Sequence, residues 1–111
     1  MTQLLKEQTM TNLSQEQWWE KAQADSNAII LDVRTEEEVE EKAIPGSINI
    51  DIYKGQGFLD EIANLDKTKA YYIYCKSGGR SSQACHVMES LGFEETHNLL
   101  GGITEWEGPI K

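Results

Sequence analysis

The sequence predicts an α/β domain with a mostly parallel central sheet flanked by helices on both faces. Short strand-like runs at residues 28–31, 48–50, 70–74 and 95–99 alternate with stretches of helical spacing, the pattern that yields parallel strands joined by crossover helices. The run Ala28-Ile29-Ile30-Leu31 is apolar throughout, which suits a strand covered on both sides rather than one facing water. At 111 residues and 12.6 kDa, the chain has the size of one domain. The expected division is an N-terminal extension over residues 1–10 and a single domain over 11–111.

Each element has a local reason. Ser14-Gln15-Glu16-Gln17 reads as a capping box, a hydroxyl at the N-cap and an amide three residues on. It opens a helix to about residue 24, with Trp18, Ala22 and Trp19 as the apolar face, and Asp25-Ser26-Asn27 ends it. After the first apolar strand, Thr35 is placed to cap a short acidic helix through Glu41, where Glu36, Glu37 and Glu38 meet the positive helix end. Ile44-Pro45-Gly46-Ser47 is turn chemistry before a second short strand, Ile48-Asn49-Ile50. Gly55 and Gly57 precede a helical stretch with Phe58, Ile62 and Leu65 at matching spacing. Ala70-Tyr71-Tyr72-Ile73-Tyr74 is the strongest strand signal. A helix from about residue 79 to 91 follows, with Ala84, Val87, Met88 and Leu91 inward and Gly92 as its stop. Residues 95–99 read as a last strand, and residues 103–106 as a closing helical turn.

Charge narrows the possible partners. Ten Lys and Arg face nineteen Asp and Glu, a net of -9, which argues against nucleic acid or an anionic membrane. The acidity is uneven. Lys67, Lys69, Lys76 and Arg80 give residues 67–88 a charge of +4 with no Asp or Glu, leaving -13 for the remainder of the chain's -9. A small anion can therefore still be met by this local basic stretch. The first residues lack a basic start followed by a long apolar run, and no 18-residue apolar window exists; neither a secretory signal nor a membrane span is expected. With only Cys75 and Cys85 as cysteines, a reducing, cytoplasmic setting is expected.

The chemistry concentrates at Cys75-Lys76-Ser77-Gly78-Gly79-Arg80-Ser81-Ser82. A cysteine leaves a buried strand, small residues follow, and a helix begins. Gly78 and Gly79 allow backbone angles that turn successive N–H groups inward. With the helix N-terminus, these groups make an anion cradle around the sulfur. The same field favours thiolate and should pull Cys75 below the free value of about 8.5, each pH unit being about 1.4 kcal/mol. Such a thiolate is an activated nucleophile.

The segment Cys75-Lys76-Ser77-Gly78-Gly79-Arg80-Ser81 resembles the active-site loop of rhodanese-type sulfurtransferases. Leu31-Asp32-Val33-Arg34 with Glu38, then Ile44-Pro45-Gly46-Ser47-Ile48-Asn49-Ile50, is similar to the family's first motif. Leu91-Gly92-Phe93, Leu100-Gly101-Gly102 and Trp106 resemble its closing segment. The resemblance spans residues 12–108 and implies a rhodanese-like fold. It also implies transfer of a sulfane sulfur, from a donor such as thiosulfate to a thiophilic acceptor, through a persulfide on Cys75. The backbone N–H groups of residues 76–80 would hold the persulfide anion. Lys76 and Arg80 would orient an anionic donor or brace the loop. Asp32 and Arg34 resemble the family's charged pair in a supporting role, with Arg34 expected to meet an acid such as Glu38. The acceptor would be a thiol, cyanide or a sulfur-carrier protein, and no cofactor or metal is expected.

One departure stands out: Lys42-Ala43-Ile44 occupies the place of the family's Gly-His-Ile. Two other functions compete. One is a sulfur-carrier or binding module serving a dedicated protein partner. The other is a phosphatase or arsenate-reducing enzyme, but the related phosphatases imply five residues between Cys and Arg, and here there are four. The shorter ring suits a single sulfur atom. Cys85 lies about 9 Å along the helix from Gly79, beyond disulfide reach of the loop, and is expected to pack. His86 and His97 have no metal-ligand spacing. The three tryptophans are expected in the core or at its edge, and the acidic helix on a solvated face.

Overall fold

The computed structural model describes residues 10–111; most of the expected extension lies outside them. In chain order the elements are β1 (Met10–Leu13), α1 (Gln15–Ala24), β2 (Ile29–Asp32), α2 (Glu36–Glu41), β3 (Ile48–Asn49), a 3₁₀ turn (Ile52–Lys54), α3 (Gln56–Ala63), β4 (Ala70–Tyr74), α4 (Gly79–Ser90) and β5 (Glu95–Leu99). The five strands form one sheet in the order β1-β5-β4-β2-β3. Every pairing is parallel. Asp32 pairs with both Asn49 and Tyr74, and Ile73 pairs with Asn98, so the carboxyl ends of four strands line one edge. That edge is where a parallel sheet receives ligands.

Two apolar layers cover the sheet. On one face Tyr71, Ile73 and Cys75 meet Phe58 and Ile62 of α3 and Ala84, Cys85 and Met88 of α4. On the other, Ala70, Tyr72 and Tyr74 meet Trp18 and Ala22 of α1, with Ile44, Leu99 and Ile103. Alternate β4 residues thus enter different layers, which explains a strand with no polar position. Trp18 is fully buried, meets Tyr72, Tyr74 and Trp106 edge-on, and donates its indole N–H to His97 O at 3.2 Å. Burying one such side chain is worth about 1.5–3 kcal/mol. Among the described residues no helix is long and apolar enough to cross a membrane.

Several local expectations change. Ser14 caps α1 by accepting Gln17 N–H, but the two-way exchange expected there is made at α2. Thr35 Oγ1 accepts Glu38 N–H at 3.2 Å while Glu38 Oε1 accepts Thr35 N–H at 3.1 Å, so both arms of the box are made there. Leu91 is not inward but 39% exposed. Helix α4 stops at Ser90, Gly92 turns the chain at φ +95°, and Phe93 fills the core instead. The inward face of α4 is Ser81, Ala84, Cys85 and Met88. Residues 103–106, expected as a closing helical turn, form a single hydrogen-bonded turn in which Trp106 N–H donates to Ile103 O at 3.2 Å. Strand β1, Met10–Leu13, was not expected.

Candidate active site

Cys75 is the first residue after β4, 1% exposed, and sits where the chain turns into α4. Its Sγ accepts the Gly78 N–H at 3.1 Å and the Ser81 hydroxyl lies 3.3 Å away. Burial alone would push the Cys75 thiol up. The Ser81 hydroxyl and the backbone N–H groups of Ser81, Gly78 and Ser77 outweigh it, so the thiol is held below its ordinary value. Gly78 has φ +108°, a conformation that only glycine enters cheaply. Gly79 needs no such freedom, because it is already the first residue of α4. Lys76 and Ser77 are exposed at the rim.

The loop is braced from behind. Ile103 N–H donates to Cys75 O and Thr104 N–H to Lys76 O, each at 3.0 Å. This close approach depends on Gly102, where an added Cβ would lie 2.3 Å from Lys76 O. The Leu100-Gly101-Gly102 segment is therefore the backing plate of the cysteine loop.

Arg80 takes the bracing geometry. Its guanidinium forks onto Glu38 at 2.7 and 2.9 Å and lies over the Tyr53 ring. Arg80 is the chief reason why Glu38 is held down to about 2 from an ordinary 4.5, and Glu38 in turn raises Arg80. The expected Arg34–Glu38 ion pair is accordingly not made. Arg34 instead forks onto buried Asp32, with its closest contact at 2.7 Å, and donates to the carbonyls of Glu38 and Lys42. With Asp32 two residues away on the same strand end, the fork closes locally, and Glu38 is left for Arg80. Asp32 and Arg34 hold the chain around α2 rather than touching the sulfur. A cleft of about 230 Å³ lined by Arg34, Glu38, Lys42, Lys76 and Thr104 opens beside the loop.

Two contributors escaped the sequence reading. Ser81 was seen only as part of a motif, yet it is fully buried against Sγ. Asn98, in the last strand, bonds Ser81. The place of Ser81 in the first turn of the helix that the cysteine loop opens offered a signal for the first, whereas only the strand order reveals the second. Cys85 is fully buried, and burial pushes its thiol up to about 12. Both cysteines are free.

The site is thus a buried cysteine at the carboxyl end of a strand in a parallel α/β domain, with donors to its sulfur from the loop and first turn that open α4. A family model for the rhodanese-like domain matches residues 15–109, and the chain belongs to that family. It is 38% identical over 92 residues to "Putative sulfurtransferase YtwF" of Bacillus subtilis, covering 83% of this chain and 85% of that protein. A protein of Allochromatium vinosum named "Sulfurtransferase" is 32% identical over 80 residues, 72% of each chain. The crystal structure of a rhodanese-related protein from Thermoplasma volcanium superposes with a TM-score of 0.78 at 26% identity, covering 91% of this chain and 97% of that one.

Proposed function

We propose that the protein is a sulfurtransferase that carries a sulfane sulfur on Cys75. The observation behind this reading is the donor ring on Cys75 Sγ, built from Gly78 N–H and the Ser81 hydroxyl on a sulfur whose thiol is held low. In the first half-reaction the Cys75 thiolate attacks the outer sulfur of a donor such as thiosulfate. A new S–S bond forms on Cys75, the donor's S–S bond breaks, and its electron pair leaves with sulfite. In the second, a thiophilic acceptor such as cyanide or a thiolate attacks the terminal sulfur, and the Cys75 thiolate is restored. Charge and electrons balance without a cofactor.

The ring that favours thiolate also favours the persulfide anion, because both are acceptors only. Exposed Lys76 gives an anionic donor a point of attraction at the rim, while Arg80, tied to Glu38, acts by keeping α2 against α4. Family membership and relatives named as sulfurtransferases support the class of reaction. The test is a donor panel of thiosulfate, mercaptopyruvate and low-molecular-weight persulfides with cyanide as acceptor. Cys75→Ala should abolish turnover with every donor and Cys85→Ala should keep it. Undiminished turnover by Cys75→Ala would overturn the proposal.

A further inference from the structure

Ser81 has one hydroxyl proton and two acceptors in reach. Its Oγ lies 3.3 Å from Cys75 Sγ and 2.5 Å from Asn98 Oδ1, and all three residues are buried. A hydroxyl donates once and keeps two lone pairs, so only one of these contacts can be its donation. The Asn98 amide is keyed by its other end. Nδ2 donates to Asn12 Oδ1 at 2.9 Å and to Gly78 O at 3.3 Å. Gly78 O can only accept, so a flipped amide would set oxygen against oxygen, and Oδ1 must face Ser81. Asn98 pairs with Asn12 across β1 and β5 and with Ile73 across β5 and β4. The network therefore runs from the edge strand to the cysteine loop.

We infer that Asn98 is a positioning residue that competes with Cys75 for the Ser81 hydroxyl proton and so sets how readily the sulfur ionises. With Cys75 protonated, Ser81 donates to Asn98 and offers a lone pair to the thiol. When Cys75 gives its proton to solvent, the thiolate has nothing to donate. The hydroxyl then rotates to donate to Sγ, and Asn98 Oδ1 loses its partner. Ionisation thus exchanges a neutral hydrogen bond for a charge-assisted one. The other charged and titratable groups around the sulfur are Arg80 with Glu38 and Tyr53, the Asp32–Arg34 pair, Lys76 and Cys85. None of them is changed in the variants below.

The inference rests on Cys75 as the reactive sulfur, but its test needs no sulfur transfer. The pH midpoint for alkylation of Cys75 by iodoacetamide, read by peptide mass, is measured in the unaltered chain, Asn98→Leu, Ser81→Ala and the double variant. Asn98→Leu removes the competing acceptor and should lower the midpoint by about half to one pH unit, giving about three- to tenfold more thiolate below it. Ser81→Ala should raise the midpoint, and Asn98→Leu should then add nothing. In the unaltered ¹⁵N-labelled chain, the Asn98 side-chain amide signals should shift with the Cys75 midpoint, and in Ser81→Ala they should not. A folded Asn98→Leu whose midpoint is unchanged or raised overturns the inference, as do equal shifts with and without Ser81. So does an Asn98 amide in the unaltered chain that ignores Cys75 ionisation, a result that does not depend on Asn98→Leu folding. Absence of a persulfide would instead count against the proposed reaction and leave this ionisation result standing.

Discussion

Replacing Glu38 by Gln tests the clamp that joins α2 to the cysteine loop. Glutamine keeps an oxygen for the Thr35 N–H, so the capping arm survives and the charge on Arg80 is what changes. The gap between 4.5 and about 2 for Glu38 corresponds to roughly 3 kcal/mol of preference for the charged form in the folded chain. Arg80 and Glu38 side chains are 18% and 27% exposed, so solvent screening reduces the expected contribution to about 1–2 kcal/mol. A carboxylate held low in the folded state stabilises fully above its unfolded value. That contribution is lost as pH falls through the folded one. Urea unfolding should therefore find Glu38→Gln less stable near pH 7, with Tm lower by roughly 4–10 °C. The difference should shrink between about pH 4.5 and 2. Equal stability at pH 7, or a deficit that persists unchanged below pH 2, would refute the reasoning.

Other expectations follow from the packing. Gly102→Ala places a Cβ 2.3 Å from Lys76 O at φ +57°, so urea unfolding should show a loss of at least about 2 kcal/mol together with weakened sulfur transfer. Gly92→Ala meets open space at φ +95° and should cost only about 1 kcal/mol while sparing activity. Cys85 is fully buried with its thiol raised to about 12; a disulfide reagent at pH 8 should modify it only on unfolding, and rapid native labelling would contradict that burial.

Most of the sheet was legible because its inner strands write their burial directly. Ala70-Tyr71-Tyr72-Ile73-Tyr74 has no polar residue and is inserted between two layers. Strand β1, Met10-Thr11-Asn12-Leu13, carries no such signal: it lies at the sheet edge with Thr11 and Asn12 exposed. Its place comes from pairing with β5, a contact across more than eighty residues. The cysteine loop was legible as a motif because Gly78 and the start of α4 are local features. The partners of Arg34 and Arg80 were not. Both arginines face carboxylates within reach in sequence or space, and only the fold decides that Asp32 takes one and Glu38 the other. Asn98 was hidden for the same reason, since nothing in Thr96-His97-Asn98-Leu99 announces that it ends beside the sulfur.

The central claim is that Cys75 carries the transferred sulfur. Incubating the reduced protein with thiosulfate, removing the donor and mapping peptides by mass spectrometry tests it directly. The account predicts one added sulfur atom on the Cys75 peptide, lost on addition of cyanide, and none on the Cys85 peptide. An unmodified Cys75 peptide with every sulfane donor tried, or an added sulfur on Cys85 alone, would contradict it.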